Sequence, residues 1–96
     1  MEVRLDGAKM SDKEAAHIYL REMLSFPPYY GKNLDALWDM LVTYDGEICI
    51  VLENKDAVLD HLENYGKALI EVFEDAVRAK VGMTFVVAEN REEMQV

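Results

Sequence analysis

The sequence predicts an α/β domain: a small three-stranded parallel sheet packed with about four helices. Three observations carry this. The 96 residues suffice for one domain with one core, roughly 60–70% of the unfolded surface being buried at this size. The apolar pattern along the chain alternates in the order strand, helix, helix, strand, two helical segments, strand. Finally, Ile48-Cys49-Ile50-Val51-Leu52 is apolar without interruption, as expected for a parallel strand covered on both faces. Helical connections between successive strands imply parallel pairing and right-handed crossovers.

The elements follow in order. Val3 and Leu5 alternate with Glu2, Arg4 and Asp6, which predicts a short strand ending at Asp6-Gly7. Ser11-Asp12-Lys13-Glu14 reads as a capping box, Ser11 capping the amide of Glu14 and Glu14 reaching back. The helix that follows carries Ala15, Ala16, Tyr19, Leu20, Met23 and Leu24 on one face, and Phe26-Pro27-Pro28 ends it, because proline lacks a donor and restricts its predecessor. Asn33 is placed to cap a second helix with the stripe Leu34, Leu37, Trp38 and Leu41. Asp45-Gly46 reads as the turn into the second strand. Asn54 is placed to cap a helix with Val58, Leu59 and Leu62, and Asn64-Tyr65-Gly66 interrupts it. Ala68, Leu69, Val72, Phe73, Ala76 and Val77 form the clearest helical stripe, with Gly82 as its stop. Residues 83–88 form the last strand, with Phe85, Val86 and Val87 buried. The domain spans 1–90, and 91–96 is a C-terminal tail.

Composition narrows the function. Nineteen acidic residues oppose ten basic ones, and the net charge is −9. Phosphate binding needs a basic patch, so direct contact with DNA or RNA is disfavoured and a basic partner is favoured. The single cysteine, Cys49, cannot form an internal disulfide and sits in an apolar run, consistent with a reduced, cytoplasmic compartment. No segment shows a signal-peptide pattern or approaches the ~20 apolar residues of a membrane span. Metal-binding cysteine spacing, a phosphate-cradling loop and a nucleophile elbow are missing, so no cofactor is expected. His17 and His61 lie far apart without a visible partner and read as surface residues. Ser11 is explained as a cap.

Pro27-Pro28-Tyr29-Tyr30-Gly31-Lys32-Asn33-Leu34-Asp35-Ala36-Leu37-Trp38-Asp39 stands out. Asp35 and Asp39 are at i and i+4, sharing a helix face at a spacing where like charges repel. They could be a general acid/base pair, half of a metal site, or a solvated helix face. A rigid tyrosine offers much contact area at little entropic cost. Tyr30 is expected to point inward and Tyr29 outward. Trp38 can be a core anchor or an interface residue. Gly31 either permits a turn or admits a partner to the backbone. Glu71, Glu74 and Asp75 form the polar face of the strongest helix.

The run from Tyr29 to Asp39 resembles the signature of the barstar family, intracellular inhibitors of the secreted ribonuclease barnase. The resemblance extends from about Met1 to Asn90 and includes Glu71-Val72-Phe73-Glu74-Asp75-Ala76. It implies a three-stranded parallel sheet with helices and a non-catalytic protein that plugs a ribonuclease active site. Tyr29 would cover the catalytic region, Asp39 would occupy a phosphate position among basic side chains, and Asp35 would meet further basic groups. Gly31, Asn33, Leu34 and Trp38 would line the contact, and Asp75 would contribute from the later helix. Val42, Thr43 and Tyr44 would also belong to the contact, where they depart from the family archetype's polar residue, glycine and tryptophan. Asp75 is one methylene shorter than its glutamate, and Met40 stands in place of its second cysteine. The implied partner is a barnase-like secreted ribonuclease or nuclease toxin, and the implied role is that of a cytoplasmic antitoxin or immunity protein. Two other readings share the charge pattern: an acidic nucleic-acid mimic that binds another basic protein, and a carboxylate-dependent hydrolase using Asp35 and Asp39.

Overall fold

The computed structural model, which describes residues 1–88, joins β1 (Glu2–Asp6), β2 (Ile48–Glu53) and β3 (Met83–Val87) in one parallel sheet of order β1-β2-β3. The tail expected at 91–96 lies outside the described residues. Register brings Leu5 level with Leu52, and Ile50 level with both Val3 and Phe85. One face of the sheet is buried through Val3, Leu5, Ile48, Ile50, Leu52 and Met83. The other face is less deeply buried among the described residues: along β2 burial alternates, Cys49 and Val51 being only partly buried, and Val86 on β3 is 50% exposed. The uninterrupted apolar run therefore does not mark a strand equally covered on both faces. Here β1 supplies solvated charges instead, Arg4 bonding Glu53 at 2.7 Å and Glu2 at 3.3 Å. Val86, expected in the core, falls on this less buried face because side chains alternate along a strand.

Four α-helices among the described residues pack the buried face and one another: α1 (Lys13–Leu24), α2 (Leu34–Val42), α3 (Lys55–Leu62) and α4 (Asn64–Ala79). Capping at α1 differs from the expected box. Asp12, not Ser11, is the N-cap and accepts from the Ala15 amide at 2.8 Å. Met10 is fully buried just upstream, and this start turns Ala16, Leu20 and Leu24 inward. Asn54 precedes α3 in a left-handed conformation and makes no side-chain cap. Its amide instead donates to Asp6 at 2.8 Å, and that bond, with one from the Ala8 amide, holds the Asp6 carboxyl below its ordinary range. Asn64, Tyr65 and Gly66 lie inside α4 rather than interrupting a helix. Gly66 permits close contact with α3, since a Cβ there would sit 2.8 Å from the Val58 carbonyl oxygen. α4 ends at Ala79, and Gly82 turns the chain onto β3 at φ +91°. Phe73 of α4 stacks on Phe85 of β3 with centroids 5.1 Å apart.

The break between α3 and α4 falls on Glu63, at φ 55° and ψ −127°, a combination that suits glycine and strains any residue with a Cβ. Glu63→Gly is therefore expected to stabilise the protein by about 1 kcal/mol, relief of backbone strain exceeding the entropy that glycine adds to the unfolded chain. The urea midpoint should rise; a fall would show that the glutamate side chain contributes more than its backbone costs.

Candidate functional site

The loop between α1 and α2 is built around one inward tyrosine. Ser25, left-handed at φ 59°, ends α1. The Tyr30 amide donates to the Pro27 carbonyl at 3.0 Å, closing a turn. Tyr30 is 3% exposed, packs on Phe26 with centroids 4.9 Å apart, and places its hydroxyl 2.7 Å from His17 Nδ1. Tyr29, its neighbour, is thrown outward and is 81% exposed. This matches the division expected for the pair.

His17 is not a surface residue; it is 1% exposed. Its Nε2 meets the Tyr65 hydroxyl at 2.7 Å, so one imidazole ties the loop to both α1 and α4. A neutral imidazole has one N–H and one bare nitrogen. One hydroxyl therefore accepts from the ring while the other donates to it. Burial holds the imidazole below its ordinary pKa and raises both tyrosine hydroxyls, which keeps all three groups neutral near pH 7. The signal was present in sequence: His17 stands three residues before Leu20 and seven before Leu24, on the buried stripe of α1.

The loop reaches α2 through Lys32, which adopts the left-handed conformation at φ 55°. The unusual backbone thus falls on Lys32 rather than on Gly31. Asn33 caps α2, accepting from the Ala36 amide at 2.8 Å and donating to the Gly31 carbonyl at 3.3 Å. Leu37 and Leu41 bury the inner stripe of α2, and Leu34 and Val42 are half-buried against the same core. Outward stand Asp35, Trp38 and Asp39, with Trp38 36% exposed. The two carboxylates lie one turn apart, about 6 Å along the axis, and neither has an ion-pair partner among the described residues. They stand exposed on one helix rather than facing each other across a cleft.

The helix gains nothing from Asp39. Its last turn carries no basic residue, so a carboxylate there meets the negative end of the helix dipole as well as repulsion from Asp35. Thr43 ends α2, its amide and hydroxyl donating to the Asp39 carbonyl at 3.1 and 2.6 Å. Tyr44 is half-buried, its hydroxyl 3.2 Å from the Met1 sulfur and Lys80 Nζ 5.8 Å from its ring. Val42, Thr43 and Tyr44 are thus partly engaged by the fold itself.

On α4, which packs against α2, Asp75 is exposed and paired with Arg78. Glu74 lies about 100° round the helix from Asp75 and lines two grooves, one with Val77 and Phe85 and one with Lys55 and Lys67. The acidic face of α4 is therefore split between two flanks.

Two comparisons bear on this arrangement. The family described as Barstar (barnase inhibitor) has a sequence model that matches residues 1–96. A Bacillus subtilis (strain 168) protein named "Putative ribonuclease inhibitor YrdF" is 38% identical over 73 residues, which cover 75% of this chain and 80% of that protein.

Proposed function

The chain belongs to the barstar family, and from that premise we propose that it is a non-catalytic inhibitor of a barnase-like ribonuclease, blocking the enzyme's cationic active site with α2 and the preceding loop. The observation that carries this reading is the display of Asp35 and Asp39, two exposed carboxylates without ion-pair partners among the described residues, on the helix that follows the loop of the outward Tyr29. A site built to hold phosphate is basic. A rigid pair of carboxylates on a domain of net charge −9 complements it electrostatically. Tyr29 and Trp38 supply the aromatic area typical of binding hot spots. Gly31, Asn33 and Leu34 would shape the contact around them, and Asp75 would add a charge from α4. The partner is read as a secreted ribonuclease or nuclease toxin, and the inhibitor as its cytoplasmic counterpart.

Titrating the protein into an RNA-cleavage assay with barnase-like ribonucleases tests this. Activity should fall in proportion to added inhibitor and vanish near one equivalent. Full activity of several such enzymes at micromolar inhibitor would sink the proposal. Loss of cleavage of one RNA without complex formation would instead point to substrate competition.

A further inference from the structure

The two edges of the sheet are treated differently. β1 carries Glu2, Arg4 and Asp6, and the Asp6 amide is satisfied by the Tyr19 hydroxyl at 2.8 Å. Charges of this kind blunt an edge against further pairing. β3 has the sequence Met83-Thr84-Phe85-Val86-Val87, with neither charge nor proline. Its pairing with β2 is fixed by two bonds at its ends: Ile48 N–H to the Gly82 carbonyl and Ala88 N–H to the Leu52 carbonyl, both 2.9 Å. Backbone groups alternate in direction along a strand, so even-numbered residues of β3 face β2. The N–H and C=O groups of Met83, Phe85 and Val87 face outward.

Beside this edge runs a groove of about 400 Å³ between β3 and α4, lined by Val77, Phe85 and Val87 with Glu74 and Arg78 at its rim. Arg78 is engaged by Asp75, whereas Glu74 has no ion-pair partner among the described residues. A row of outward backbone donors and acceptors next to an apolar groove suits an added strand: backbone bonds supply affinity, and the groove accepts alternate side chains. Charge selects the occupant. Two copies of a chain of net charge −9 repel each other, whereas a basic segment is attracted both to the whole domain and to Glu74.

We propose that the outer edge of β3, with its groove against α4, is a strand-addition site for an extended segment of another protein that alternates apolar and basic residues. The site is distinct from the Asp35–Asp39 face and does not depend on ribonuclease inhibition.

An acetylated and amidated heptapeptide of alternating lysine and valine, titrated into the full-length chain, provides the test. Amide NMR signals of Met83, Phe85 and Val87 should shift saturably, while those of Asp35 and Asp39 stay in place. Val87→Pro removes an outward N–H that the β2–β3 ladder does not use, a placement proline tolerates on an edge. It should weaken the peptide on the order of tenfold and leave the Asp35–Asp39 amides unmoved. Glu74→Gln should weaken it roughly threefold. If Val87→Pro does not fold, a peptide N-methylated at alternate residues decides the matter on the wild-type chain, since it cannot complete the ladder. Equal binding of the methylated peptide would overturn the proposal. So would shifts confined to α2, no binding at all, or sedimentation as a dimer that Val87→Pro dissociates.

Discussion

Asp39→Ala is expected to weaken ribonuclease binding by at least about 2 kcal/mol, the scale of an interface hot spot, and more than the loss of any other single carboxylate. Asp39 is the acidic residue that α2 has least structural reason to keep, since it sits at the negative end of the helix dipole one turn from Asp35. Alanine there removes both penalties and has the higher helix propensity, so the thermal midpoint should hold or rise. In a complex, the substitution would leave basic groups of the enzyme desolvated without a counter-charge, which is why the cost exceeds that of a rim contact. Calorimetric binding of Asp35→Ala, Asp39→Ala, Glu71→Ala and Asp75→Ala, each with a thermal melt, ranks the four. Asp75 is engaged by Arg78, so its removal should cost less than that of Asp39. Wild-type affinity of a folded Asp39→Ala protein would move the binding face away from α2.

His17→Ala is expected to destabilise the protein by about 3 kcal/mol near pH 8, combining a core cavity with two hydroxyls that lose their partner. The cost should also depend on pH. Burial depresses the folded pKa of His17, so the unfolded chain binds the proton more readily. The stabilisation from neutral His17 is complete above the unfolded value of about 6.5 and declines as pH falls through the interval below it. Protonation would turn both ring nitrogens into donors and displace the hydroxyl proton that one of them accepted. The difference between wild type and His17→Ala should therefore shrink from about pH 8 to about pH 5.5, read from urea midpoints at each pH. A difference that does not change with pH would mean that His17 acts by volume alone.

Much of the fold was legible because its elements carry strong local signals. The α4 stripe, the Asn33 cap and the prolines after Phe26 each act within one turn of helix or a few residues of loop. The misread features depend on contacts distant in sequence. Asn54 has the chemistry of a cap, yet its amide is drawn to Asp6. The α3–α4 boundary falls on Glu63 rather than on Gly66, because Gly66 is needed where α4 meets the Val58 carbonyl. An apolar strand does not disclose that its two faces are buried to different depths. Within the candidate site, the shared helix face of Asp35 and Asp39 was legible from spacing, the outward Tyr29 was an expectation that did not rest on spacing, and the resemblance supplied their implied roles. His17 was missed because its two partners are thirteen and forty-eight residues away, although its place on the α1 stripe already pointed inward.

The bond between Tyr30 and His17 gives the loop between α1 and α2 no independent existence as a cooperative unit. Loops that hold a displayed residue are often the least protected part of a protein, opening many times for each global unfolding event. Here the residue beside Tyr29 is anchored through an imidazole that also bridges to Tyr65 on α4. Opening the loop thus requires breaking contacts that span α1 and α4. Core substitutions far from α2 would then act on function mainly through the fraction of molecules that are folded, changing how much active protein a cell holds while leaving the affinity of each folded molecule intact.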